Sequence, residues 1–156
     1  MHSLLAAAAA ILALGGSSSP FDPGWEGAAW GMTPEQVSAA LPGIRVVRRE
    51  ESLSNARKQR VRDALLYDIE VEAEYYFDAD GLAFIRFEVP FRRCEALVDG
   101  LLTEHGSPVE VHDQVILRLI TWEDPEAGNK LVLLYSSARI CDLRIRSIED
   151  AGNGYD

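Results

Sequence analysis

The clearest pattern in the chain runs from Leu65 to Phe77. There the odd positions Tyr67, Ile69, Val71, Ala73, Tyr75 and Phe77 are apolar, and the even positions Asp68, Glu70, Glu72 and Glu74 are acidic. A strict period of two predicts a strand over 65–77 with one buried and one wet face. Asp78-Ala79-Asp80-Gly81 supplies hairpin turn chemistry. The return strand, Leu82 to Val89, places Ala83, Ile85, Phe87 and Val89 on one side and Arg86 on the other, within reach of the acidic row. Pro90 ends it.

Two stretches follow the helical period instead. In Trp30 to Val37, Thr33 is a good N-cap, Pro34 suits the first helical position and Gln36 completes a capping box. Met32 and Val37 stand at the two hydrophobic-staple positions, and Val37, Ala40 and Leu41 form a stripe that Pro42-Gly43 stops. A helix this short needs a sheet to lie on. In the second stretch Cys94, Leu97, Val98, Leu101 and Leu102 recur at spacings of three and four, and Gly106 closes the helix. Ile44 to Arg48 reads as a short strand and Glu51 to Arg60 as a polar loop. Val109 to Trp122 reads as a strand or a bent pair, Lys130 to Tyr135 and Arg139 to Arg146 as strands, and Glu123 to Asn129 as a turn. The order predicts an α+β fold: one antiparallel sheet with two short helices on a single face and the acidic row toward water. A single domain spans 20–148, in two loosely similar halves of about 25–90 and 91–148, and the polar stretch 149–156 reads as a disordered tail.

The N-terminus adds a compartment. The unbroken apolar run from Leu4 to Leu14 is shorter than the ~20 residues a bilayer requires, and the small residues Gly15 to Ser19 follow it. Residues 1–19 therefore read as a signal peptide and leader, although the basic start is reduced to the amino terminus and His2. The protein is expected to be exported, periplasmic or secreted, with no transmembrane segment after signal removal and no cysteine near the cleavage point to take a lipid. The net charge of −10 disfavours nucleic acid and anionic membranes as partners. That charge is uneven, because Arg57, Lys58, Arg60 and Arg62 follow Arg45, Arg48 and Arg49. These cations either face the acidic strand that comes next or offer a contact patch to an acidic partner. Cys94 and Cys141 are the two cysteines, and in an exported chain such a pair reads as one disulfide. The alternative is a reactive thiol at Cys94, which follows Arg92 and Arg93 at a helix start.

Candidate chemistry is sparse. Asp78 to Gly81 resembles the start of a calcium loop, but Val89 stands at the twelfth position, where a glutamate is required. His105, His112 and Asp113 match no zinc spacing. The acidic row could supply paired carboxylates, yet a regular stripe on one strand is an ordinary solubilising face. No nucleophile elbow, phosphate loop or dinucleotide glycine pattern occurs, so no cofactor is expected. Trp30 and Trp122 are expected in the core, and Trp25 is open to either environment.

Gly31-Met32-Thr33-Pro34-Glu35-Gln36-Val37, with Leu41 and Gly43 beyond it, resembles a signature of small exported α+β modules. Two families carry it: the OmlA/SmpA-type outer-membrane-assembly lipoproteins and the secreted β-lactamase inhibitor proteins. Leu101-Leu102 with Gly106, Pro108 and Trp122 is also similar to uncharacterised periplasmic proteins. The resemblance implies helices laid on an antiparallel sheet and a protein-binding, non-enzymatic role. The chain lacks the lipoproteins' cleavage-site cysteine and carries the signature once, where the inhibitors carry it in each of two repeats. The leading expectation is an exported binding or envelope-accessory protein, partnered by another envelope or secreted protein. The alternatives are a small hydrolase or thiol enzyme using the acidic face or Cys94, and a secreted enzyme inhibitor.

Overall fold

The computed structural model describes residues 24–149. The leader expected at 1–19, and the expected tail apart from Glu149, lie outside the described residues. A two-stranded ribbon, β1 (Gly24–Trp25) with β2 (Ala28–Ala29), leads to helix α1 (Pro34–Ala40). Then come β3 (Arg45–Val46), β4 (Ser52–Leu53), β5 (Ala56–Leu66), β6 (Ile69–Asp78) and β7 (Gly81–Glu88). A 3₁₀ turn at Phe91–Arg93 enters helix α2 (Cys94–His105). Strands β8 (Glu110–Asp113), β9 (Leu117–Asp124), β10 (Asn129–Ser136) and β11 (Ile140–Ser147) complete the chain. The strands β3 to β11 form one antiparallel sheet in the order β3-β5-β6-β7-β11-β10-β9-β8, with β4 also paired to β5. The fold is α+β, a predominantly antiparallel sheet with two helices.

The helices lie on one face because their apolar stripes and the inward residues of the strands make one core. Val37 and Leu41 of α1 and Cys94, Leu97 and Leu101 of α2 are buried together with Tyr75, Ile85, Phe87, Trp122, Leu133 and Leu143. Trp25 and Trp30 pack against the same cluster. The capping box of α1 is formed: Gln36 N–H donates to Thr33 Oγ1 at 3.2 Å, and Thr33 N–H to Gln36 Oε1 at 2.8 Å. The segment before it is stitched to the β6–β7 turn, with Gly31 N–H donating to Leu82 O and Leu82 N–H to Met32 O at 3.1 and 2.8 Å. That approach requires glycine at position 81, where φ is +105° and a Cβ would sit 2.2 Å from the Gly31 oxygen. Cys94 and Cys141 are joined in a disulfide that ties the first residue of α2 to β11. Its closed loop constrains the unfolded chain by about 4 kcal/mol. No helix among the described residues is long and apolar enough to cross a membrane.

Three sequence readings need correction. The strand over 65–77 is interrupted: Tyr67 and Asp68, at φ +47° and +62°, make a two-residue hairpin turn between β5 and β6. Leu65 is thereby turned out to solvent and Leu66 into the core. The polar loop 51–60 is instead β4, a second such turn at Ser54-Asn55 (φ +49° and +64°), and the first half of β5. Its arginines and lysine hid a strand, since long aliphatic stems can lie on a sheet while the cations reach acids beside it. The strand predicted over 44–48 shortens to Arg45–Val46, and Val109 to Trp122 resolves into the bent pair β8 and β9.

Tyr67 is an unusual residue for a turn of this kind, and Gly100 explains it. A Cβ on Gly100 would lie 2.3 Å from Cγ of the Tyr67 ring, so the missing side chain is the slot that seats the ring on α2. Replacing a mid-helix glycine by alanine ordinarily stabilises by about 1 kcal/mol. Here Gly100→Ala is expected to destabilise by about 1–3 kcal/mol through overpacking. In a Tyr67→Ala background the same change is expected to stabilise. Urea unfolding of the four proteins in this cycle checks the reversal of sign.

Candidate functional site

The face of the sheet opposite the helices carries the densest polar chemistry. Cross-strand pairing aligns Val61, Glu74, Arg86, Arg144, Val132, Thr121 and Glu110 in one row over seven strands. Beside it runs a second row through Lys58, Tyr76, Phe84, Arg146 and Lys130. On the other side Glu88 pairs with Asp142, which continues to Leu134, Leu119 and His112.

At the centre the charges are linked in a chain. Lys58 Nζ lies 2.9 Å from Glu51 and 3.0 Å from Glu74. Glu74 also accepts from Arg86 Nη1 at 2.9 Å and from the Tyr76 hydroxyl at 3.3 Å. Arg86 Nε donates to Asp142 at 2.5 Å, and Arg144 Nε stands 3.5 Å from the same carboxylate. Glu74 is 9% exposed and Asp142 3%. Burial alone would weaken the Arg86 charge, but the bonds to Asp142 and Glu74 overcome it and hold the guanidinium above its ordinary range. Lys58 follows the same pattern, with burial opposed by Glu51 and Glu74 and the net direction upward. Tyr76 stacks on Phe84 with centroids 4.5 Å apart, and Arg144 lies over the Phe84 ring at 5.6 Å. Such a network is costly to desolvate, and among the described residues Asp142 Oδ1 keeps no hydrogen bond of its own, only the Arg144 guanidinium at 3.5 Å.

The acidic row therefore divides. Glu70 and Glu72 face water as expected, but Glu74 is buried and neutralised, and Asp68 sits in the turn. The candidate contact cations also divide, because β5 shifts register between Lys58 and Arg60. Arg57 is exposed near Glu50, and Lys58 belongs to the open-face network. Arg60 and Arg62 turn to the helix side, where Arg60 donates to Ser38 of α1 at 2.8 Å, and Arg62 pairs with Glu26 and lies over the Trp25 ring. These four residues share no common patch. Cys94 is bonded to Cys141, so the thiol reading has no free thiol to act. His105 lies 3.7 Å from Glu104 and 3.9 Å from Asp124, while His112 sits on β8 beside Glu110 at 2.7 Å. Among the described residues no group of three or more His, Cys, Asp or Glu is placed to hold a metal. Asp78 accepts from Asp80 N–H at 2.8 Å, a local turn bond in the segment resembling a calcium loop.

Arg86 opposite the acidic row was readable from alternation. Asp142 was not, since it arrives from a strand 56 residues further along the chain. A cavity of about 350 Å³ lies on the helix side, lined by Tyr67, Leu101, His105, Asp124 and Leu131 among others. Asn129 at its wall is already satisfied, accepting from Trp30 Nε1 at 3.0 Å and donating to Gly24 O at 2.6 Å.

No family model matches the chain, and no curated protein matches it by sequence. Among solved structures it is similar to a DUF4309 family protein (YjgB) from Bacillus subtilis. The two share 11% identity over 76% of this chain and 84% of that one, with a TM-score of 0.47. A likeness at that level transfers neither residues nor role.

Removing Arg86 would leave two buried carboxylates without their main cation. Arg86→Met is expected to lower unfolding free energy by about 3 kcal/mol. Glu88→Gln, at an exposed end of the same network, is expected to change it by less than about 0.5 kcal/mol. Denaturant titration of both variants makes the comparison.

Tyr67, Tyr75 and Tyr76 all have raised hydroxyl pKa values. Burial is the first cause in each; Glu104 adds to it at Tyr67 and Glu74 at Tyr76, while Arg62 opposes it at Tyr75. Their folded values exceed the unfolded one of about 10. The stability they contribute is thus fully present below about pH 10 and is lost as pH rises from there through the folded values. Absorbance titration at alkaline pH is expected to show Tyr67, Tyr75 and Tyr76 ionising late, together with unfolding.

Proposed function

We propose that the protein is an exported binding domain that holds another envelope or secreted protein against the open face of its sheet. The observation that carries this reading is the row Val61-Glu74-Arg86-Arg144-Val132-Thr121, which spans the sheet with no helix over it among the described residues. Its central charges are neutralised by one another, and accessible charges such as Glu72 and Lys130 flank them. A charge-neutralised polar centre with accessible margins suits recognition by complementarity. Glu74 and Asp142 both accept from the Arg86 guanidinium, which ties the centre of the face together. The resemblance of Gly31 to Val37 to exported binding modules supports the same role. The Leu4–Leu14 run and the disulfide support an oxidising compartment outside the cytoplasm, the periplasm or the exterior.

The reading is tested by crosslinked capture from an envelope extract, comparing the natural protein with a Glu72→Lys, Lys130→Glu double variant. One specific protein is expected with the natural chain and is expected to be lost with the variant. Recovery of the same protein by both would overturn the assignment of this face. If the captured protein is an enzyme that loses activity on binding, the role is inhibition rather than accessory assembly.

A further inference from the structure

We infer that two copies of this chain join edge to edge through β8, extending the sheet across a two-fold axis. The inference stands apart from the proposed heterologous partner, because it uses the margin of the sheet and leaves the open face uncovered.

β8 is the terminal strand of the sheet and has a neighbour on one side only. At the opposite margin β3 and β4 cover the first part of β5. Natural sheets blunt a free edge with very short strands, charged side chains (lysine above all), proline or a covering segment, and β8 has the first two, being four residues long with Glu110 and Asp113. β8 reads Glu-Val-His-Asp, with no lysine or proline, and all four residues are exposed. Val111 is 49% exposed, and Val109 before it 59%.

The hydrogen-bonding pattern gives the geometry. Gln114 and Leu117 exchange both backbone bonds, at 2.8 and 3.3 Å, across the β8–β9 turn. Alternation in an antiparallel ladder then points the amides and carbonyls of Glu110 and His112 toward β9 and those of Val111 and Asp113 outward, while Val109 N–H breaks the alternation and donates inward to Thr121 O at 2.8 Å. A second β8 in antiparallel orientation can therefore pair with Val111 opposite the other copy's Val111. In that register Glu110, bonded to His112 of its own chain at 2.7 Å, also faces the second copy's His112, so two acids and two imidazoles meet around the central pair. Val109, whose amide is taken by Thr121 O, adds no outward bond, and the Asp113 carboxylate is held by Arg118 of its own chain at 2.6 and 3.0 Å. The uncovered end of β5 offers no equivalent, since Arg62 and Asp63 lie on opposite faces and never meet in a two-fold pairing.

The symmetry has a structural result. The two-fold axis of such a pair is perpendicular to the sheet, so both helix layers fall on one side and both open faces on the other. The dimer would present two copies of the open face side by side, able to engage a repeated or dimeric partner with avidity. A four-residue strand is a small interface, which places the self-affinity in the micromolar range typical of weak association.

Sedimentation equilibrium of the purified natural protein, from about 1 to 500 μM, is expected to show mass rising from monomer toward twice that value. Val111→Pro removes only an outward amide, a position where an edge strand tolerates proline, and is expected to give a folded monomer throughout. Glu110→Lys is expected to weaken self-association about tenfold, by loss of two cross-strand pairs. Adding His112→Glu, which exchanges the charges, is expected to restore it. Far-UV circular dichroism confirms that each variant is folded. A natural protein that stays monomeric over the whole range overturns the inference, as does a dimer indifferent to Val111→Pro and to the charge exchange. Either result leaves the partner-capture test unaffected.

Discussion

The pairing of β7 with β11 is the contact on which the rest of the molecule depends. It joins the two halves of the chain, running Phe84 to Glu88 beside Asp142 to Arg146. Beneath it Ile85, Phe87, Leu143 and Ile145 enter the core, and above it Arg86 clasps Asp142. Just beyond it Val89 N–H donates to Cys141 O at 2.9 Å, and the disulfide leaves Cys141 for α2. Apolar burial, the central ion pair and the covalent link are concentrated on one strand pair that is distant in sequence. Loop closure must be met before any of them contributes, so this pairing belongs to the slow, non-local part of folding.

What was legible in the sequence was whatever depends on neighbours in the chain. The β6–β7 hairpin followed from alternation and from Asp78 to Gly81, and the α1 cap from Thr33 and Gln36. Features whose partners arrive from elsewhere were hidden. Tyr67-Asp68 gives no glycine signal for a turn, because the conformation is supported by a slot on α2 and by the bond from the Tyr67 hydroxyl to Glu104. The first half of β5 looked like a loop because Lys58 and Arg60 are balanced by Glu74 and Glu35, both outside the segment. Of the open-face network, Arg86 and Glu74 could be placed together in advance, and Lys58 facing the acidic strand was one of two readings; Asp142 could not be placed.

The same contrast explains why the acidic stripe misleads as a site. Four acids at alternate positions suggest a uniform surface, yet each has a different environment. Glu72 shares Arg45 with Asp63 at the margin, at 3.0 Å, while Glu74 serves Lys58, Arg86 and Tyr76 at once. The central residue acts as a structural anion, and only the outer ones remain available to meet a visitor.

Helix α2 is held at three places along its length. Its first residue is bonded to β11, its middle seats the Tyr67 ring at Gly100, and the carbonyl of Gly106 at its end accepts from Trp122 Nε1 at 3.0 Å. The ring in its slot works as a key in a keyway: a shift of α2 by one residue would bring the side chain of Asp99 or Leu101 under the tyrosine. Sliding of packed helices, the shear movement by which many small domains adapt to what they bind, is denied to this one. If the far side of the sheet receives a partner as proposed, that partner meets a surface whose backing does not give, and the accommodation falls to the partner.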